Sequence, residues 1–177
     1  MAFLVIGLAI LVIFFIVVAS RPPTFRVERS ATINAPPGVV FDQVNDLRKW
    51  QAWSPWENID PNLRRTYEGP PAGAGSAYAW QGNAKVGQGR MTITESRPNE
   101  LIRFKLEFLK PFKAANSADF TFVPQGGQTT VNWSMQGQNN FMFKAMGMFF
   151  SMDKMVGRDF EKGLGNLKSV VEAPAAR

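Results

Sequence analysis

Leu101-Ile102-Arg103-Phe104-Lys105-Leu106-Glu107-Phe108 sets Ile102, Phe104, Leu106 and Phe108 against Arg103, Lys105 and Glu107. Successive side chains of an extended chain point to opposite faces, so the segment reads as a strand with one apolar and one wet face. Strands of that kind belong to antiparallel sheets covered on one side only. The pattern continues outward in both directions. Upstream, Met91 and Ile93 alternate in a strand that begins near Val86, and Arg97-Pro98-Asn99-Glu100 makes the turn. Downstream, Phe120 and Phe122 alternate with Asp119 and Thr121, Pro124-Gln125-Gly126-Gly127 makes a hairpin turn, and Val131, Trp133 and Met135 form the next strand. Further out, Tyr78 and Trp80 alternate with Ala77 and Ala79 inside a Gly- and Pro-rich stretch from Gly69 to Gly89. Thr24 to Asn34 is the opening strand, with Phe25, Val27 and Arg29 on one side and Arg26, Glu28 and Ser30 on the other.

Helical spacing occurs in two other places. Val39, Val40, Phe41, Val44 and Leu47 follow Pro36-Pro37 as a short helix. Met142, Met146, Phe149, Asp153, Val156, Phe160, Leu164, Leu167 and Val171 recur every three or four residues, which predicts one amphipathic helix of about eight turns. Its Gly147, Gly157, Gly163 and Gly165 permit a bend or a close approach to a neighbour. Asp153 falls on the apolar stripe, and a small rotation that exposes it and turns Met152 inward is the favoured reading. Between the short helix and the sheet, Trp50-Gln51-Ala52-Trp53-Ser54-Pro55-Trp56 reads as a packed aromatic loop. A strand, short helices, about six further antiparallel strands and one long helix define an α+β domain. The apolar sheet face needs a cover, and the terminal helix is the element long enough to supply it. A curved sheet around one helix leaves room for a cavity.

Met1 to Ala19 carries no charged side chain and is followed by Ser20-Arg21-Pro22-Pro23. At 1.5 Å per residue such a helix spans about 27 Å, near the thickness of a bilayer core. A cleaved signal peptide is the competing reading, with Val17-Val18-Ala19 as an acceptable cleavage site. The run is long for a signal core and no Lys or Arg precedes it, which favours a transmembrane anchor. Arg21, Arg26 and Arg29 then place the soluble domain on the cytoplasmic side. The expected organisation is an anchor over residues 1–20, a juxtamembrane linker over 21–26, the domain over 27–172 and a flexible tail over 173–177.

The net charge of +6 lies wholly beyond the apolar run. It suits anionic headgroups or a solvated basic surface, while the scattered basic residues argue against nucleic acid. Absence of Cys and His excludes disulfides, the usual zinc sites, thiol nucleophiles and imidazole acid–base chemistry. The carboxylates Asp42, Asp46, Glu57, Asp60, Glu68, Glu95, Glu107, Asp119, Asp153 and Asp159 show no spacing that a metal or an acid–base pair requires. No catalytic residue, metal or cofactor is assigned.

The chain resembles the START-like superfamily, also called SRPBCC or Bet v 1-like, and most closely its polyketide cyclase/dehydrase branch. The resemblance rests on Ala31-Thr32-Ile33-Asn34-Ala35-Pro36 with Val40-Phe41, on WQAWSPW at 50–56, and on GAGSAYAWQGN at 73–83. It rests also on VGQGRMTI at 86–93, TTVNWSMQG at 129–137 and MDKMVGRDFEKGLGNLKSVVE at 152–172. It implies a helix-grip fold, a curved antiparallel sheet around a long C-terminal helix, with an apolar cavity for a lipid-like or aromatic small molecule. It does not imply a reaction, because the fold hosts binders, enzymes and co-chaperones.

The alternation places Tyr78, Trp80, Phe104, Phe108, Phe120, Phe122, Trp133 and Met135 on the inner sheet face, with Met146 and Phe149 on the helix above, as cavity candidates. Trp53 and Trp56 are candidates for its mouth, or else staple the short helices to the sheet. The expected function is membrane-tethered binding or transfer of a hydrophobic small molecule. A cyclase/dehydrase-type enzyme on polyketide-like substrates, which needs a polar group inside the cavity, and a protein-partner module are the alternatives. Oligomeric state is not legible.

Overall fold

The computed structural model describes residues 2–139, 141–148 and 151–174, without the side chains of Ala2, Leu4, Met142 and Met146. The alternating segments form one seven-stranded antiparallel sheet. Its strands are β1 (Thr24–Ile33), β2 (Arg64–Glu68), β3 (Ala77–Gln81), β4 (Gln88–Arg97), β5 (Leu101–Lys110), β6 (Ala114–Gln125) and β7 (Gln128–Gln138). Helices are α1 (Ala2–Ala19), α2 (Pro37–Asn45), α3 (Phe141–Met146) and α4 (Met152–Glu172), with a 3-10 turn over Lys49–Ala52.

The spatial order is β1-β7-β6-β5-β4-β3-β2. Strands β2 to β7 are a meander, and β1 closes the far edge by pairing Thr24 with Gln138 and Ile33 with Thr129. β4 shifts register between Gln88 and Gly89 and between Ile93 and Glu95. Such bulges bend a strand and sharpen its twist, which helps the sheet curl. Ile102 and Phe104 are buried while Arg103 and Lys105 face solvent, so the inner and outer faces divide as the alternation requires.

α4 lies in the curl. Phe160, Leu164 and Leu167 are buried against the sheet, and Gly157 and Gly163 are buried with them. A Cβ on Gly163 would sit 2.7 Å from the Trp133 ring, so this glycine sets how deeply the helix seats. At its C-terminal end, Asn34 N donates to Glu172 Oε1 at 2.6 Å and Lys168 Nζ donates to Thr32 O at 2.8 Å. Near its N-terminal end, Arg29 reaches up from β1 to Asp153 and Glu161.

Two expectations are corrected. The single helix from Met142 to Val171 is two helices: α3 ends before Gly147, and α4 starts afresh at Met152. Ser151 caps the new start, its hydroxyl accepting from Lys154 N at 3.3 Å, and a capped restart needs no continuous helix behind it. Val39 is exposed, so the apolar face of α2 is Val40, Phe41 and Val44. In α4, Met152 packs inward and Asp153 turns outward to pair with Arg29 at 2.9 Å. Arg64 and Arg65, adjacent in an otherwise scattered basic set, belong to strand β2.

The N-terminal helix spans Ala2–Ala19, with Val18 buried and most of the other described side chains exposed. Phe15 stacks on Phe141 of α3 at 5.4 Å, and Lys144 Nζ reaches Ala19 O at 3.5 Å. Among the described residues no helix is long and apolar enough to cross a membrane. The apolar run of the sequence extends past those residues at its N-terminal end.

Candidate functional site

The tryptophan-rich loop is the roof of the domain. Trp50 Nε1 donates to Val44 O at 2.9 Å and Trp53 Nε1 to Gln43 O at 3.2 Å. Both carbonyls are in the last turn of α2, where helical partners run out, so the loop and the helix end satisfy one another. Trp50 stands edge-on to Phe104 at 5.5 Å and to Phe120 at 5.8 Å. Trp133 is sandwiched between Phe120 at 4.7 Å and Phe160 at 4.0 Å, and Trp56 meets its edge at 5.7 Å.

This packing leaves a cavity of about 290 Å³ between the sheet and the roof. Tyr78, Trp80, Met91, Phe104, Leu106, Phe108, Ala118, Trp133 and Met135 form its sheet wall. Trp56, Glu57, Leu63, Val156, Asp159 and Phe160 close the opposite side. Seven of the residues anticipated from sequence are thereby brought together: Tyr78, Trp80, Phe104, Phe108, Trp133, Met135 and Trp56. Three others stand elsewhere. Phe120 is fully buried in the solid core, Phe122 packs on Phe41 at 5.5 Å, and Trp53, 1% exposed, staples the roof instead of opening at the mouth. Phe149 and the side chain of Met146 lie outside the described residues.

One end of the cavity is polar, and periodicity gave no sign of it. Glu57 is buried, with its Oε1 accepting from Tyr78 Oη at 2.7 Å and its Oε2 from Arg65 Nε at 2.6 Å. Arg65 also donates to the carbonyls of Glu57 at 3.0 Å and Leu63 at 3.1 Å, which fixes the loop to β2. Tyr67, Tyr78 and Trp80 stack in a row at 5.3 and 6.0 Å. Burial, followed by the Glu57 carboxylate, drives the Tyr78 phenol far above its ordinary pKa, and Glu57 raises that of Arg65. Tyr78 is therefore a neutral phenol whose proton is committed to Glu57. Both residues line the cavity, and each oxygen of this pair retains acceptor capacity beyond the bond it makes. The available signal was composition alone: a carboxylate directly after the third tryptophan of a packed aromatic loop.

Of the other carboxylates considered for chemistry, Asp159 borders the cavity, while Asp119 and Asp153 face away. Asp119 pairs with Arg103 on the outer face at 2.9 Å, and Asp153 is held by Arg29. Among the described residues no group of three or more His, Cys, Asp or Glu side chains is placed to hold a metal.

Residues 24–172 match the family model described as polyketide cyclase / dehydrase and lipid transport. The chain belongs to this family. Among solved structures, the same fold is shared by protein TTHA0849 from Thermus thermophilus at 20% identity. The match covers 86% of this chain and 100% of that one, with a TM-score of 0.62. Protein CV1439 from Chromobacterium violaceum shares it at 17% identity, with coverage of 87% and 100% and a TM-score of 0.60. The di-domain ARO/CYC BexL from the BE-7585A biosynthetic pathway matches at 17% identity and TM-score 0.61, over 89% of this chain and 53% of that one. No curated protein matches the sequence. At these identities the structural likeness establishes the fold, a curved antiparallel sheet around a C-terminal helix, and nothing finer.

Proposed function

We propose that this member of the polyketide cyclase/dehydrase and lipid transport family binds a hydrophobic small molecule carrying a hydroxyl or similar donor, and does so at a membrane. The observation that carries the reading is the cavity itself: an aromatic chamber of about 290 Å³ with a buried polar pair, Glu57 and Tyr78, in its wall. An apolar body fills the chamber and a donor group orients it, which is how small-molecule sites divide affinity from specificity. Met91 and Met135 in the wall supply adaptable surface. α1 supports the membrane part of the proposal. It is apolar on every side, most of its described side chains are exposed, and Arg21, Arg26 and Arg29 follow it, which favours a cytoplasmic domain.

The full chain, purified in lipid discs and released for native mass spectrometry, is expected to carry a reproducible small-molecule adduct and to take up fluorescent fatty alcohols. Discs that yield an empty domain which also rejects those alcohols overturn the proposal.

Cyclase/dehydrase-type catalysis is the second reading. The family description and the BexL likeness favour it, and Tyr78 is a polar group inside the cavity. Proton transfer is most effective from a group poised near working pH, and Tyr78 is displaced far above it. That displacement weights the proposal toward binding or transfer.

A further inference from the structure

A second apolar hollow of about 240 Å³ adjoins the cavity and shares Phe108, Met135 and Val156 with it as a common wall. Its other sides include Phe25, Phe112, Phe143 and Met152. The register fixes which end of the sheet it occupies. Thr24 pairs with Gln138, Asn116 with Gly137, and Phe108 with Ala114, so the start of β1, the end of β7 and the β5–β6 turn lie together. α1 enters the domain at that same end, and its Phe15 stacks on Phe141 of α3 beside the hollow.

The rim has the composition of a surface that meets lipid. Leu109, Phe112, Phe141 and Met155 are each about half exposed. Arg21, Lys110, Lys113 and Lys144 have no carboxylate partner among the described residues. Glu28 is paired with Arg26, Glu107 with Lys105, and Asp153 and Glu161 share Arg29. The four free cations of the rim therefore surround an apolar opening, at the point where an apolar helix leaves. We infer that this face seats on an anionic bilayer and that the second hollow is the mouth through which an acyl or isoprenoid chain passes between the membrane and the cavity. Phe108, Met135 and Val156 then form the gate between the two chambers. The inference rests on the binding reading for its cargo and on the rim alone for its docking.

The chain has no cysteine, so single reporters are simple to place. Phe112→Cys on the rim and Val123→Cys, exposed at the opposite end of β6, are labelled with an environment-sensitive dye in the full chain reconstituted in lipid discs. Doxyl-labelled lipid is expected to quench the dye at 112, more strongly when phosphatidylglycerol is present, and to leave the dye at 123 untouched. Combined Lys110→Glu and Lys113→Glu substitution is expected to slow exchange of a fluorescent fatty alcohol with anionic vesicles by about tenfold or more. A dye at 112 that stays in water, or equal quenching at both sites, overturns the docking face. Exchange that ignores the lysine reversal overturns the mouth. A chain that loads no alcohol refutes the binding reading instead, and quenching at 112 still decides the docking.

Discussion

Glu57 is the residue on which the site's polarity turns. A buried carboxylate is tolerated only when its oxygens are held, and here a phenol and a guanidinium hold one each. Replacing Tyr78 with Phe keeps the ring stack on Tyr67 and Trp80 but takes one donor from Glu57. The expected loss is about 1–2 kcal/mol of stability by urea denaturation. Affinity for a fatty alcohol is expected to fall more than affinity for the hydrocarbon of the same length, measured by displacement of a fluorescent probe. Equal losses for the two ligands would show that Tyr78 only supports the wall. The aromatic wall was legible at this scale because alternation puts Trp80, Phe104, Phe108 and Trp133 on one face. Glu57 was not, because its partners lie 8 and 21 residues away and meet it only through strand pairing.

Among the elements, α4 is the one whose seating makes the cavity. Its N-terminal half is clamped by Arg29, which rises from the inner face of β1 beneath Gly157. The hydrogen bond from Arg29 leads the causes that hold Asp153 below its usual 3.8. A carboxyl with a depressed folded pKa adds stability above its unfolded pKa and loses it as pH falls through the folded value. Wild type is therefore expected to melt at a higher temperature than Asp153→Asn at neutral pH, the gap closing as pH drops well below 3.8. A gap that persists in strong acid would assign the effect to helix capping rather than to the ion pair. The clamp is exposed and salt-screened, so the difference is expected to be small and to shrink in high salt. The amphipathic stripe from Val156 to Val171 was readable from spacing. The restart at Ser151 was not, since apolar residues at helical intervals continue straight through the break.

At the scale of the molecule, the inferred membrane face joins α1 to the sheet end beside it. A charge at the middle of a membrane helix costs about 2.5–3.5 kcal/mol of insertion. Ile10→Arg is therefore expected to move the full chain from the carbonate-resistant membrane pellet toward the supernatant. The fold should be unchanged, because Ile10 is exposed and makes no packing contact with the core. Wild-type chain found wholly in the supernatant would remove the membrane from the proposal and leave the cavity intact.

Taken alone, the amino-acid sequence determined the alternating strands, the two helical stripes, the apolar leader and the likeness to the helix-grip family. Those are local periodicities, and a period of two or of three to four needs no knowledge of partners. Only the tertiary structure decided which aromatic residues line space and which fill it. Phe104 and Phe120 have the same pattern, yet Phe104 borders the cavity while Phe120 is sealed behind Trp133. The same holds for the polar end and the second hollow. Each is made by residues distant in the chain, brought together by the curl of the sheet and the depth at which Gly163 lets α4 settle.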